Sequence, residues 1–288
     1  PSTATALAVL QTIIIGAVLL ITRRNSQSLS ISLHVSAPQP LHTKPTHRAT
    51  PLMFVAIAVV VVASPLLATI YRSFVTNSQL SFSAWRSIFS GSLPSLSVST
   101  QSVISTSLIF AIATACCCVP LALLAAISSA PRSLFSLPLI FSAATLGIGL
   151  IITFNTSPFA WRSERWFVPV IHAVIALPLV IRALEPAARA IPASLRNASA
   201  TLGASPFATW RRVELPLLKP ALLRATGLSM AVSLGEFGAT SFLSRSGSTT
   251  LPIAIAQLLG RPGVATQQAG FVLAALMVLV TVGVMSRA

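Results

Sequence analysis

The 288-residue sequence has no aspartate, and its acids number only four: Glu164, Glu185, Glu214 and Glu236. Charged residues make up 8% of the chain. Soluble domains carry roughly 25%, so a water-facing surface cannot be assembled from this composition. No two-carboxylate or Ser-His-acid arrangement is evident, and no Gly-x-x-x-x-Gly-Lys-Ser/Thr loop occurs, which excludes nucleotide binding by that route. The three cysteines, Cys116 to Cys118, are consecutive inside an apolar run with no histidine or carboxylate at ligand spacing. Neither a disulfide framework nor a zinc site is indicated, and no catalysis, cofactor or metal is read from the chain.

What is present is apolar: 54% of residues are hydrophobic and the mean hydropathy is +0.86. With about 20 apolar residues as the unit of a membrane crossing, seven spans are expected, near 4–22, 51–71, 101–128, 134–152, 166–184, 220–243 and 268–286. The class is therefore all-α, a polytopic membrane helix bundle. Pro120, Pro138, Pro169 and Pro178 fall inside spans, where they predict kinks or breaks. Residues 23–50 open with Arg23-Arg24 and are rich in Ser, Pro, Thr and His, the composition of a solvated linker and a domain boundary. The chain begins at Pro1 and enters an apolar span almost at once, which reads as a segment of something longer.

The net charge of +15, from 19 basic residues, is placed between the spans rather than on one soluble face. That distribution points to orientation in a membrane and away from nucleic acid. With the 23–50 linker on the cytoplasmic side, thirteen basic residues lie inside: Arg23, Arg24, Lys44, Arg48, Arg132, Arg182, Arg189, Arg196, Arg211, Arg212, Lys219, Arg224 and Arg287. Six lie outside: Arg72, Arg86, Arg162, Arg165, Arg245 and Arg261. The positive-inside rule favours this orientation. The outer loops are then 72–100, 153–165 and 244–267, with Trp85, Phe89, Trp161 and Trp166 as interfacial anchors in contact with lipid.

One polar, basic-flanked stretch, Asn197 to Pro216 (NASATLGASPFATWRRVELP), lies on the cytoplasmic side in this orientation. Its spacing predicts two short helices joined by a bend. Gly203 closes the first in the left-handed region, and Ser205-Pro206 supplies an N-cap and a first-turn proline for the second. Phe207 and Trp210, three residues apart, share a face. A second polar feature is the stripe Ser229, Ser233, Glu236 and Thr240, at offsets of four, seven and eleven along the sixth span. Glu236 is the one carboxylate expected inside a span. It reads either as lining a translocation path or as a cap or ion-pair partner near the outer end of its helix. His172, in the fifth span, reads as an interhelical hydrogen-bonding group.

The Asn197–Pro216 spacing resembles the cytoplasmic loop of bacterial type I ABC-importer permeases: Glu-Ala-Ala, three residues, Gly, nine residues, Ile-x-Leu-Pro. Aligned on Gly203, Asn197 takes the Glu position, Ala198 and Ser199 the two Ala positions, and Val213 the Ile position, so the acid is missing. Glu185-Pro186-Ala187-Ala188 lies too far upstream to replace it. The segment Ser233–Gly263, with Gly235-Glu236-Phe237-Gly238 and Thr250-Leu251-Pro252, resembles the thiamine and ferric-iron importer branch, whose permeases commonly fuse two six-helix halves. The resemblance implies a transport subunit, not an enzyme, in the bacterial plasma membrane. Residues 1–22 would be the last helix of a preceding half, 23–50 a cytoplasmic linker, and 51–288 a six-helix permease domain with a coupling loop at 185–219. It further implies partner ATPase subunits, an external solute-binding protein and a second permease half. In the loop, Gly203, Ala204 and Ser205 would form the bend behind Asn197 and Ala198, Phe207 and Trp210 would touch the ATPase, and Leu215-Pro216 would turn back into the membrane. Ser229, Ser233, Glu236 and Thr240 would line the path of a cationic substrate, thiamine or ferric iron. The rival expectation is a proton-coupled secondary transporter using Glu236 and His172.

Overall fold

A computed structural model describes residues 49–286 apart from 77–78, 91–92, 94–95, 129–134, 136, 156–160, 162–163 and 244–247. The span expected at 4–22 and the linker up to residue 48, with Arg23, Arg24, Lys44 and Arg48, lie outside the described residues, as do Arg132, Arg162, Arg245 and Arg287. In chain order the structure has α1 (Ala49–Ser73), the short hairpin β1 (Val75–Thr76) and β2 (Gln79–Leu80), α2 (Ser83–Phe89) and α3 (Thr100–Ile127). After a 3₁₀ turn at Leu137–Ile140 come α4 (Ala143–Thr153), α5 (Phe167–Arg189), α6 (Ala193–Thr201) and α7 (Pro206–Thr209). A π-turn at Trp210–Glu214 leads into α8 (Leu215–Gly235), followed by α9 (Gly238–Leu243), α10 (Leu251–Leu259) and α11 (Val264–Ser286).

Among the described residues, five helical runs are long and apolar enough to cross a membrane: Met53–Ser73, Thr100–Ile127, Phe167–Arg189, Pro206–Gly235 and Val264–Ser286. Two expected spans are corrected. The one at 134–152 is a 3₁₀ turn containing Pro138 followed by α4, whose 11 residues reach only about 16 Å, half the hydrocarbon thickness. The cause is local: Ser142 is extended, with ψ 150°, and its hydroxyl accepts from Thr145 N at 3.1 Å, an N-cap that starts a new helix inside an apolar run. The span at 220–243 breaks at Glu236 (φ −74°, ψ 113°), between Gly235 and Gly238. By contrast α3 runs through Pro120 and α5 through Pro178, so these two prolines do not end their helices.

Residues 72–100 and 244–267, expected as outer loops, contain structure of their own. The hairpin pairs Val75 with Leu80 and Thr76 with Gln79, and α2 stacks Trp85 on Phe74 at 5.2 Å and on Phe89 at 6.2 Å. Thr250 and Pro252 open α10, which buries Leu251, Ile253, Ala254 and Leu258. Leu251, Ala254 and Leu258 join Ile88 of α2, Val103 of α3 and Ala269, Val272 and Leu273 of α11 in one apolar cluster.

The central packing is between α3, α5 and α8. In a membrane, burial of apolar surface does not drive helices together, and close approach depends on small side chains at the seam. On α3 these are Ala111, Ala115, Cys118 and Ala122, at offsets of four, seven and eleven, all buried. Cys118 and Ala122 meet Ala173, Ala176 and Val180 of α5 and Ala225 of α8. Cys116 and Cys117 point outward from the same helix. A third close contact joins α4 to α9. A Cβ on Gly238 would lie 2.9 Å from Ala143 Cβ, and one on Gly147 would lie 3.0 Å from Ala239 Cα.

Gly238→Ala is therefore expected to push α9 off α4 and cost about 1–3 kcal/mol, seen as a lower midpoint in thermal unfolding of the detergent-solubilised protein. Gly283→Ala in α11, where a Cβ meets nothing within 4 Å, should leave the midpoint unchanged or raise it.

Candidate functional site

The bend at Gly203 is built by capping chemistry. α6 ends in a left-handed residue, Gly203 (φ +79°), with Gly203 N donating to Ala200 O at 2.9 Å and Ala204 N to Ser199 O at 3.1 Å. This paired closure satisfies the last carbonyls of the helix and needs a residue without a Cβ at position 203. Ser205 then caps the next helix, its hydroxyl accepting from Ala208 N at 3.2 Å, with Pro206 in the first turn. The conformation at all three positions is the one their residue types predict.

Beyond Thr209 the structure departs from expectation. The second helix is not short, because α7, the π-turn and α8 form one helical run from Pro206 to Gly235. Leu215-Pro216 accordingly makes no turn; Leu215 is half-buried and Pro216 exposed at the start of α8. Pro216 has no N–H to offer Arg212 O and its ring crowds that carbonyl, which accounts for the widened turn in which Leu215 N donates to Trp210 O.

Two side-chain ties hold α6 against this run. Ser199 and Thr209 hydroxyls pair at 2.8 Å, and Arg196 grips Glu214 through Nε at 2.6 Å and Nη2 at 3.3 Å. Glu214's hydrogen bond and charge raise the Arg196 guanidinium above its ordinary range. Asn197, at the position of the missing acid, is exposed, and its carbonyl accepts from the Thr201 hydroxyl at 2.9 Å. Ala198 O accepts from Leu202 N at 3.1 Å. The acid that closes the bend is thus Glu214, a pairing hidden from the sequence by a separation of 18 positions; its one visible signal was being the only carboxylate in the stretch. Glu185 belongs to the last turns of α5, where it pairs with Arg189 at 2.9 Å. With its polar groups tied inward, the bend projects apolar ones: Leu202 is 87% exposed and Phe207 67%, the latter stacked on Trp210 at 6.1 Å.

A second constellation lies in the bundle core. His172 of α5, 1% exposed, places Nδ1 2.8 Å from Ser233 Oγ on α8 and Nε2 2.7 Å from Thr240 Oγ1 on α9. Thr114 Oγ1 on α3 lies 3.2 Å from Ser233 Oγ and 3.3 Å from Pro169 O. Ser229 is fully buried one turn earlier on α8. The polar stripe is not continuous, because the break at Glu236 separates Thr240 from Ser229 and Ser233. The Glu236 carboxylate turns to the backbone and accepts from Ala239 N at 2.6 Å, capping α9. His172, read from the sequence only as a hydrogen-bonding group, is the link between the two sides of the break, and Thr114 was missed altogether. Its only signal was a hydroxyl in an apolar span.

Comparison with known proteins bears on the whole arrangement. A family described as the binding-protein-dependent transport system inner membrane component matches residues 107–287. A Salmonella typhimurium protein named as a 2-aminoethylphosphonate transport system permease is 34% identical over 131 residues, 46% of this chain and 49% of that protein. The molybdenum transport system permease protein of Mycobacterium tuberculosis is 37% identical over 137 residues, 43% of this chain and 52% of that one. The chain spans about half the length of these curated relatives. Among solved structures, a bacterial ABC transporter involved in the import of the acidic polysaccharide alginate superposes with a TM-score of 0.53 at 16% identity, covering 84% of this chain and 96% of its own. That likeness shows the fold, an importer-permease helix bundle. The relatives carry phosphonate and molybdenum in their names and do not single out the thiamine and ferric-iron branch, and the comparisons do not extend to a fusion of two halves. The chain belongs to the inner-membrane component family of binding-protein-dependent transport systems and is a multi-pass membrane protein.

Proposed function

We propose that this chain is the membrane-spanning subunit of an ATP-driven importer, and that the bend at Gly203 docks on a separate ATPase subunit. The observation that carries the reading is the pair of exposed apolar side chains, Leu202 and Phe207, on a bend whose polar groups are tied to each other. Such a knob loses little conformational entropy on docking and offers an aromatic anchor to a groove. The external partner is a solute-binding protein, in keeping with the family's description, and a second permease half completes the path.

The substrate we infer is a small oxyanion of the phosphonate or molybdate kind, brought in across the inner membrane. The names of the relatives support this, and so does the chemistry around the break. Ser233, Thr240, Thr114 and His172 are bonded to one another in this conformation, and on this reading they and Ser229 become hydroxyl and imidazole donors to the path when α8 shifts against α5. Glu236, which a cation would require as a ligand, is engaged with the amide of Ala239 and serves as the cap that holds the path's turn open.

Three outcomes are expected. In co-purification of the full-length protein with its ATPase, Phe207→Ser and Leu202→Ser should lower ATPase retention about tenfold while the membrane subunit stays folded, and Gly203→Pro should abolish it. Full retention in all three variants would falsify the docking role. In proteoliposomes, ATP-driven uptake of molybdate or 2-aminoethylphosphonate is expected; uptake of thiamine or ferric iron in their place overturns the oxyanion reading. Glu236→Gln keeps an acceptor for Ala239 N and should transport near the wild-type rate, whereas Glu236→Leu removes the cap and should cost about 1 kcal/mol of stability. Loss of all uptake in Glu236→Gln would place the carboxylate in the transport step itself.

A further inference from the structure

Where α2 and the start of α11 meet, a half-open cleft of about 160 Å³ is lined by Ser83, Ala84 and Ser87 on one side and Ala265, Gln268 and Ala269 on the other. In the positive-inside orientation it lies on the outer face. The small residues leave room between the two helices. Gln268 is only 5% exposed, yet its amide nitrogen has no hydrogen-bond partner among the described residues. A buried amide N–H without an acceptor is unfavourable, so the position is poised for a group that arrives from outside with a lone pair. Ser83 and Ser87 add hydroxyls to the same wall.

The surroundings indicate the charge of that group. Arg86 adjoins Ser87 on α2, Arg261 lies one turn before Ala265, and both are exposed without an ion pair among the described residues. Counting all described outer-side charges, Arg72, Arg86, Arg165 and Arg261 face a single exposed acid, Glu164. A donor-lined cleft in a basic surface selects a carboxylate.

Resting on the importer reading, we propose that the cleft between α2 and α11 receives a carboxylate side chain from a loop of the external binding protein, with Gln268 Nε2 as its buried donor. The arginines on either side steer the acidic loop to it, and the cleft fixes its register.

The test uses the full-length protein assembled with its ATPase in lipid nanodiscs and titrated with its external binding protein. Gln268→Met, which keeps the length and removes the donor, and Ala265→Trp, which fills the cleft, should each weaken binding about tenfold or more. Basal ATP hydrolysis and ATPase retention should stay at the wild-type level. Rising salt should weaken the wild-type complex more than the Gln268→Met complex. Wild-type affinity in both variants overturns the cleft as the docking point. If the wild type retains its ATPase but binds no external protein, the cleft proposal falls and the coupling role stands. If it retains neither, the importer reading falls first.

Discussion

The structure turns on a buried imidazole. His172 is surrounded by helices that offer no water, and both of its nitrogens must be satisfied from inside the bundle. Ser233 and Thr240 do this at 2.8 and 2.7 Å, and because a hydroxyl both donates and accepts, either neutral tautomer closes the set. Each interhelical side-chain hydrogen bond in a membrane is worth only about 0.6 kcal/mol on average. Their placement matters more than their strength. Ser233 lies before the break at Glu236 and Thr240 after it, so one side chain of α5 fixes the angle between α8 and α9, while Thr114 brings α3 into the same set.

The break then dictates the shape of that side of the bundle. Once α8 ends at Gly235, the amides opening α9 need an acceptor, and the Glu236 carboxylate supplies it to Ala239. The redirected α9 lands on α4, and two glycines, Gly147 and Gly238, let the backbones approach closely enough to pack. An unbroken helix through Gly238 would carry Ala239 and Leu243 away from Phe110, Phe167 and Ile171, with which they form a core. The short α4 is therefore paired with the short α9, each completing a layer that neither could fill alone.

This explains what could be read from the sequence and what could not. Hydropathy located each apolar stretch but carried no information on whether it was continuous, since Ser142 and Glu236 alter the mean hardly at all while ending a helix by capping the next. Gly203, Ser205 and Pro206 were legible because their effects are local: a positive φ, a side-chain acceptor three residues from its donor, and a fixed φ. The contacts that organise the site join residues 18, 61, 68 and 119 positions apart, and no periodicity reports them. Glu236 shows how little residue type alone decides. As an acid in an apolar helix it left two readings open, a path-lining group and a cap near the outer end of its helix, and the glycines beside it were the clue to the second, because they allow the break that turns its carboxylate toward the backbone.

One helical run, Pro206 to Gly235, joins the exposed bend to the buried imidazole over about 45 Å. Its two ends differ in kind. At the bend Phe207 is exposed and the ties to α6 are short polar contacts near the surface, worth about 1 kcal/mol or less each. At the other end Ser233 is held in a closed set of hydrogen bonds. The run is weakest between them, where the π-turn at Trp210–Glu214 is followed by Pro216 and Pro220, two residues that remove backbone donors from successive turns. A displacement applied at the bend can therefore be absorbed as bending near Pro216 or passed on as a shift of Ser233 against His172. Leu218, between the two prolines, and Ala225, beyond them, are both buried and oppose the first course by clamping α8 within the bundle, and the second is the one that reaches the break.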